Sequence, residues 1–397
     1  MASVTGSREV GETIGYQLRR LRRLRGFTQE ELADRANVSR DLVAKLEQGR
    51  RQSARIASLA SLAHALDVEL SAFVTPVGPV PVSITDSRHR ESRGAVGRWN
   101  SATTLLAAAG LVDRVHHAYQ TARYSEAAGL LPSVTNAVDA LVAEAPTNER
   151  RDALRLQTSV SIAAAKLATK AGDADAGRSA AERARSAAEA AEDRFGQAAA
   201  TYQLTCALLR GERREQAEAL AVCCAEKLRG TDADSVTWRG ALTLIGAIIA
   251  AGRGDRGEAG RRLDYAEEIA RRRGTDGSIG WTWFGPTNVM IHRVSAAVAL
   301  GDPRGALATA QHIDLAAMPA SLCGRQAQVH LDSAWAHAEV REDPLAVIHL
   351  LDAERVAPDL MLVSPEARGL IRDLLQRERR SVVPGLRGLA LRAGVAA

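Results

Sequence analysis

Residues Thr28 to Gly49 read TQEELADRANVSRDLVAKLEQG, and their local chemistry predicts two short helices joined by a tight turn. Thr28 is placed to cap the first helix. Its hydroxyl can accept an orphaned backbone N–H, Glu31 three residues on can reach back to the cap, and Phe27 can clasp Leu32 across the same turn. Ser39 repeats the device with Val38 outside and Val43 inside, and Gly49 supplies the left-handed residue that stops the second helix. At about 100° per residue, Leu42, Val43 and Leu46 fall on one side of that helix, while Arg40, Asp41, Ala44, Lys45 and Gln48 fall within an arc of roughly 140° on the other. The first side packs. The second displays Arg, Lys and Gln, donors that match guanine and adenine edges in the major groove of DNA. A solvated face on an ordinary helical hairpin is the plainer alternative.

The stretch resembles the lambda-repressor-like, or Xre-type, helix-turn-helix family. The matching residues are Gln29, Glu31-Leu32-Ala33, Val38 and Ser39 at the turn, and Glu47-Gln48-Gly49 at the end of the second helix. Leu18 to Arg22 fits the family's first helix, and Ile56 to Leu70 fits its fourth and the approach to its fifth, so the likeness covers Ile14 to Phe73. It implies a five-helix DNA-binding domain over residues 1–75, with the DNA-facing set Thr28, Gln29, Ser39, Arg40, Asp41, Ala44 and Lys45. It also implies that Arg22 pairs with Glu47 and locks the first helix to the third, a structural role. Arg50, Arg51, Ser53 and Arg55 form a basic loop placed to grip phosphates, and Arg51 and Arg55 join Gln29 as expected backbone contacts.

Charge agrees with a polyanion at this end. The first 75 residues hold 12 basic and 9 acidic groups and residues 76–98 hold 4 and 2, while the remainder balances at 36 each, so the whole formal +5 lies in the first quarter. Residues 76–98 carry three prolines, three glycines and no helical period, the composition of a flexible linker. The four cysteines, Cys206, Cys223, Cys224 and Cys323, form no C-x-x-C pair and have no histidine at metal-ligand spacing, so no metal or cofactor is expected and a reduced cytoplasm is the expected setting. No signal peptide is read, and the longest apolar run, Ala241 to Ala251, is far short of the roughly 20 residues a bilayer span needs.

From Trp99 to Ala397 the chain reads as helix broken by short turns at Gly172-Asp173, Gly211-Glu212, Gly254-Asp255, Gly301-Asp302 and Glu342-Asp343. Their spacing of about 40 residues, and the small residue soon after each (Ala176, Ala217, Ala259, Ala306, Ala346), predicts about six or seven helical hairpins. The array resembles tetratricopeptide-type repeats, whose small residues let paired helices approach while the stack curves into a groove. The period is longer than that repeat's and its Trp, Leu-Gly, Tyr signature is absent, so a plain helical bundle stays open. The expected fold class is all-α: a five-helix DNA-binding domain plus a tetratricopeptide-like α-solenoid.

Trp281-Thr282-Trp283-Phe284-Gly285-Pro286-Thr287-Asn288, followed by His292, gathers three of the chain's 14 aromatics within four residues. Gly285-Pro286 opens a helix on which Asn288 and His292 are one turn apart and share a face. Trp281 and Trp283 as apolar walls, with Asn288 and His292 as directional polar groups, fit a small-molecule or peptide pocket. Equally, the aromatics plug a joint between repeats and His292 is a satisfied core residue. No nucleophile elbow, phosphate-binding loop or H-E-x-x-H occurs, which argues against an enzyme.

The layout resembles Xre-type regulators with a tetratricopeptide-like sensor domain, including the peptide-sensing regulators of Gram-positive bacteria and large actinobacterial regulators. The resemblance implies a homodimer on specific double-stranded DNA, whose operator affinity changes when the repeats hold a peptide, small-molecule or protein signal. The rival is a DNA-anchored scaffold whose groove recruits a protein and takes no small ligand.

Overall fold

The computed structural model describes Leu18, Arg19, Arg22, residues 27–36 and 38–48, Ser58, Ser61, Leu62, Ala65, Leu66, and residues 105–378 and 385–395. The chain divides into two compact units, Met1–Pro81 and Val82–Ala397. The expected basic loop with Arg51 and Arg55, the stop at Gly49 and the linker over 76–98 lie outside the described residues.

In the first unit, α1 (Gln29–Arg35) and α2 (Arg40–Glu47) are the two expected helices. Leu32 and Ala33 of α1 and Val43 and Leu46 of α2 pack with Leu18, Leu62 and Leu66 into one core, and Phe27, Val38 and Leu42 cover its edge. The apolar side of α2 is thus spent on packing.

The second unit is a run of helical hairpins. They pair α3 (Leu105–Gln120) with α4 (Tyr124–Glu144), α5 (Arg150–Lys170) with α6 (Ala174–Ala190), and α7 (Arg194–Arg210) with α8 (Arg214–Lys227). Next come α9 (Ala233–Gly252) with α10 (Arg256–Arg273), α11 (Pro286–Ala299) with α12 (Pro303–Ala310), and α13 (Cys323–Glu339) with α14 (Asp343–Val356). Three short helices follow: α15 (Pro358–Val363), α16 (Pro365–Gln376) and α17 (Leu386–Arg392).

The Gly-Asp turns work by division of labour. Gly172, Gly254 and Gly301 take φ of +86°, +80° and +68°, which costs a glycine little. The aspartate that follows caps the next helix: Asp173, Asp255 and Asp302 each accept a backbone N–H three residues on at 2.9 Å. The fourth residue of the second helix then enters the hairpin joint, as Ala217, Ala259, Ala306 and Ala346 do, all buried. In α6 that place belongs to Gly177 rather than the expected Ala176. A methyl on Gly177 would sit 2.8 Å from Thr169 Oγ1 and 3.4 Å from Ala207 Cβ, so even alanine is too large there.

Alanine at the joints brings the helices close, and the stack curls until its ends meet. One core unites Val112, Val115 and Val138 of the first hairpin with Leu331, Leu360, Ile371 and Leu389 from the far end. Ser125 N–H donates to Asp359 Oδ2 at 2.8 Å across the same seam. Helix α9 is long and apolar enough to cross a membrane, but 78% of its apolar window is buried here as a core helix.

One departure from helix lies between α10 and α11. β1 (Gly277–Ile279) pairs antiparallel with β2 (Thr282–Phe284), Ile279 opposite Thr282 and Gly277 opposite Phe284. The two-residue loop is Gly280-Trp281, with φ of +55° and +59°, the tight turn that suits strand twist. Phe284 is fully buried against α9, where a Cβ on Gly240 would lie 2.1 Å from its Cζ.

Candidate functional site

Of the DNA-facing candidates among the described residues, Thr28, Ser39, Arg40, Asp41 and Lys45 are exposed and Gln29 and Ala44 half-buried. Thr28 and Glu31 form the full capping box: Glu31 N–H reaches Thr28 Oγ1 at 3.1 Å, and Thr28 N–H reaches Glu31 Oε2 at 2.7 Å. Ser39 Oγ accepts from Leu42 N–H at 3.2 Å and starts α2. From there Arg40, Asp41 and Lys45 are exposed and Ala44 half-buried, while Val43 and Leu46 face the core. Lys45 Nζ lies 2.7 Å from Asp41 Oδ2, an exposed pair one helical turn apart that a polyanion can readily break.

The orientation of α2 is set from behind by Glu47. Arg22 engages that carboxylate with two bonds, Nε to Oε1 at 2.6 Å and Nη2 to Oε2 at 2.9 Å, and donates a third from Nη1 to the Phe27 carbonyl at 2.7 Å. The hydrogen bond to Glu47 raises the guanidinium pKa further. Gln29 Nε2 adds a donor to Glu47 Oε2 at 2.7 Å. Gln29 is therefore tied to the α2 scaffold by one amide hydrogen, and an amide nitrogen has a second to offer.

The second unit holds a half-open cavity of about 250 Å³ where the curled array meets the hairpin tip. Its aromatic wall is Tyr119, Tyr124, Tyr202, Trp281 and Trp283, five of the 14 aromatics in the chain. Its cations are Lys166 and Lys170 on α5, Arg210 on α7 and Arg325 on α13. Trp281 stacks flat on His116, with ring centroids 5.1 Å apart, and its carbonyl accepts from Lys166 Nζ at 3.0 Å and Gln120 Nε2 at 3.3 Å. Lys166 also lies 5.8 Å above the Tyr119 ring.

The electrostatics of this cavity are unbalanced. Arg210 has Glu366 as its partner, whereas no ion pair joins Lys166, Lys170 or Arg325 to a carboxylate among the described residues. Burial, and then Arg325, pushes the Lys166 amine down to about 7. Burial likewise lowers Lys170. The carboxyl of Asp332 is pushed up by burial to about 6 and accepts from Ser295 Oγ at 2.6 Å and Gln328 Nε2 at 2.8 Å.

Of the four residues expected to form a pocket, Trp281 and Trp283 line the cavity. Asn288 and His292 instead lie in the core behind it. Asn288 Nδ2 donates to the Trp283 carbonyl at 3.0 Å, and His292 Nδ1 donates to the Asn288 carbonyl at 2.8 Å. Both are buried, and burial takes the His292 imidazole down to about 3, so it stays neutral. Their shared face is real, but Asn288 Nδ2 serves the hairpin backbone and His292 Nδ1 that of α11, while Asn288 Oδ1 is buried without a hydrogen-bond partner.

Comparison with known proteins bears on the first unit most directly. Residues 18–73 match the helix-turn-helix family. Over 73 residues the chain is 38% identical to an uncharacterized HTH-type transcriptional regulator, y4dJ, of Sinorhizobium fredii (strain NBRC 101917 / NGR234), covering 94% of that protein and 18% of this chain. The chain belongs to the helix-turn-helix transcriptional regulators. The regulator is also similar to Bacillus thuringiensis PlcR, solved in complex with the peptide PapR7 and DNA, at 12% identity over 86% of this chain and 99% of that one, with a TM-score of 0.36.

Reasoning from sequence missed the regulator's cavity cations. They lie on three helices, and the fold brings them together through closure of the array. One compositional signal was available: of the chain's four lysines, Lys166 and Lys170 are two, one turn apart on an alanine-rich helix.

Proposed function

We propose that the regulator reads specific duplex DNA through α2 and that its helical-repeat unit receives a signal that alters this reading. Arg40 and Lys45 donate to base edges, with Asp41, Ala44, Ser39 and Thr28 at the closest approach. The second amide hydrogen of Gln29, with Arg51 and Arg55, meets phosphates. The eight residues of α2 span about 12 Å, enough for three or four base pairs. A unique genomic site therefore calls for two copies, on half-sites about one helical turn apart.

The observation that carries the receptor reading is the cavity: a half-open, aromatic-walled space lined by buried Lys166 and half-buried Lys170 and Arg325, none of them in an ion pair with a carboxylate among the described residues. A scaffold acting only through its outer surface needs no such space, and unpaired buried charge costs stability. A bound signal then shifts the DNA-competent population by its preference for one arrangement of the repeats.

The test begins with selection of an operator from randomised duplexes by the full chain, followed by titration of that operator with wild type and with Gln120→Trp, which fills the cavity. The expected change in operator affinity is roughly 5- to 100-fold. Equal affinity in a variant whose helical circular dichroism and melting are intact refutes the receptor and returns the repeats to a scaffold role.

A further inference from the structure

We propose that the cavity holds a small aromatic anion, its acid group on Lys166, Lys170 and Arg325 and its ring against Tyr119, Trp281 and Trp283. The inference rests on the receptor reading above, and it names the chemistry of the signal.

The geometry supports each half. Lys166 is buried and its Nζ makes one bond, to the Trp281 carbonyl at 3.0 Å, leaving an ammonium with hydrogens to donate. Lys170 follows one turn later on the same helix, and Arg325 approaches from α13. Three cations line one half-open space with no carboxylate in an ion pair with any of them among the described residues, Glu366 and Asp332 acting on Lys170 only from beyond ion-pair distance, so the space favours an anion. A space of about 250 Å³ between indole and phenol faces admits one or two fused rings with a single acid group.

Protonation gives the site a signature. Lys166 faces His116 and Tyr119 from α3, Cys206 from α7 and Arg325 from α13, with Lys170 on its own helix. Burial keeps His116 neutral and lifts Tyr119 to about 12 and Cys206 to about 11, so these do not titrate near neutrality. Above about pH 7 Lys166 gives up its proton, and an arriving anion draws it back. Anion binding at pH 8 therefore takes up a proton, and affinity falls as pH rises.

The experiment is calorimetric titration of the full chain, in phosphate-free buffer, with 2-naphthoate, its neutral twin 2-naphthamide, and phenyl phosphate. The expected result is that at least one of the two anions binds roughly tenfold or more tightly than the amide, with the better anion reporting the preferred acid group. Lys166→Met and Lys170→Met should each weaken that anion by about tenfold, leave the amide within about twofold, and remove or reduce the proton uptake seen at pH 8. Thermal melts of both variants establish folding, and Lys170→Met, at a half-buried position, serves if Lys166→Met does not fold. Equal binding of anion and amide, no binding of any probe at about 10 mM, or anion binding that ignores both substitutions overturns the proposal. A charge-dependent anion that leaves operator affinity unmoved upholds the site and sinks the receptor reading alone.

Discussion

Replacing Lys166 by Met should stabilise the second unit at acid and neutral pH, because the fold holds a cation where none is welcome. Burial, aided by Arg325, takes the amine from 10.5 to about 7. That difference amounts to about 5 kcal/mol against the charged folded form. The sign follows from proton binding. Between about pH 7 and 10.5 the unfolded chain keeps the proton and the folded chain does not, so wild-type stability is lowest below about pH 7 and rises with pH through that window. Methionine has no such dependence, and its cost is the lost Nζ bond to the Trp281 carbonyl, about 1 kcal/mol. The variant should therefore be more stable by about 4 kcal/mol at pH 6, and its advantage should shrink by about 3 kcal/mol by pH 9. Urea unfolding of both full-length chains, followed by tryptophan emission, measures this. All five tryptophans lie at Trp99 or beyond, so the emission reports the helical-repeat unit without interference from the DNA-binding unit. A difference between the chains that stays constant from pH 6 to 9, or a variant less stable than wild type at pH 6, refutes the reasoning.

Other substitutions probe separate links. Arg40→Ala should cost about 1 to 3 kcal/mol at the selected operator and relax its sequence preference, and an equal loss on random duplex would assign Arg40 to phosphate instead. Glu47→Ala leaves the Arg22 guanidinium buried without its carboxylate and should destabilise the first unit by about 3 kcal/mol, seen as faster amide exchange in α1 and α2; unchanged exchange would deny the clamp its role. Gly240→Ala drives a methyl into the Phe284 ring and should lower stability by about 1 to 3 kcal/mol, with a melting temperature equal to wild type as the contrary result. Asn288→Ala removes the bond to the Trp283 carbonyl and should cost about 1 to 3 kcal/mol in a melt, whereas an unperturbed melt would show that Asn288 does not hold the hairpin.

Much of the architecture was legible because its signals are local. The capping box at Thr28 and Glu31 depends on residues three apart, and the Gly-Asp turns join a residue that tolerates positive φ to one that caps a helix. Two turns escaped because alanine and glutamate stand in the left-handed position, Ala122 at φ +56° and Glu192 at φ +48°. The strain of about 1 to 2 kcal/mol at each is offset by a bond from the next residue back into the preceding helix. Arg123 N–H reaches the Ala118 carbonyl at 2.8 Å, and Asp193 N–H reaches that of Ala188 at 2.9 Å. No composition rule marks such positions.

The cavity was opaque for a different reason. Helical periodicity gave no sign of a hairpin at Trp281, and it left Asn288 and His292 open between a pocket with the aromatics and a satisfied place in the core. The hairpin turns at Gly280-Trp281 and sends Trp281 away from α11 to α3 and α5, where its partners Gln120 and Lys166 are 161 and 115 residues distant in sequence. Periodicity shows which face of α5 is inward, but not that the inward space stays open or that a lysine there meets another helix's arginine. Those facts depend on closure of the whole array through the seam at Ser125 and Asp359. The cavity in this unit thus rests on contacts distant in sequence, and its local marks are the Trp281–Trp283 cluster and two lysines in a chain of arginines.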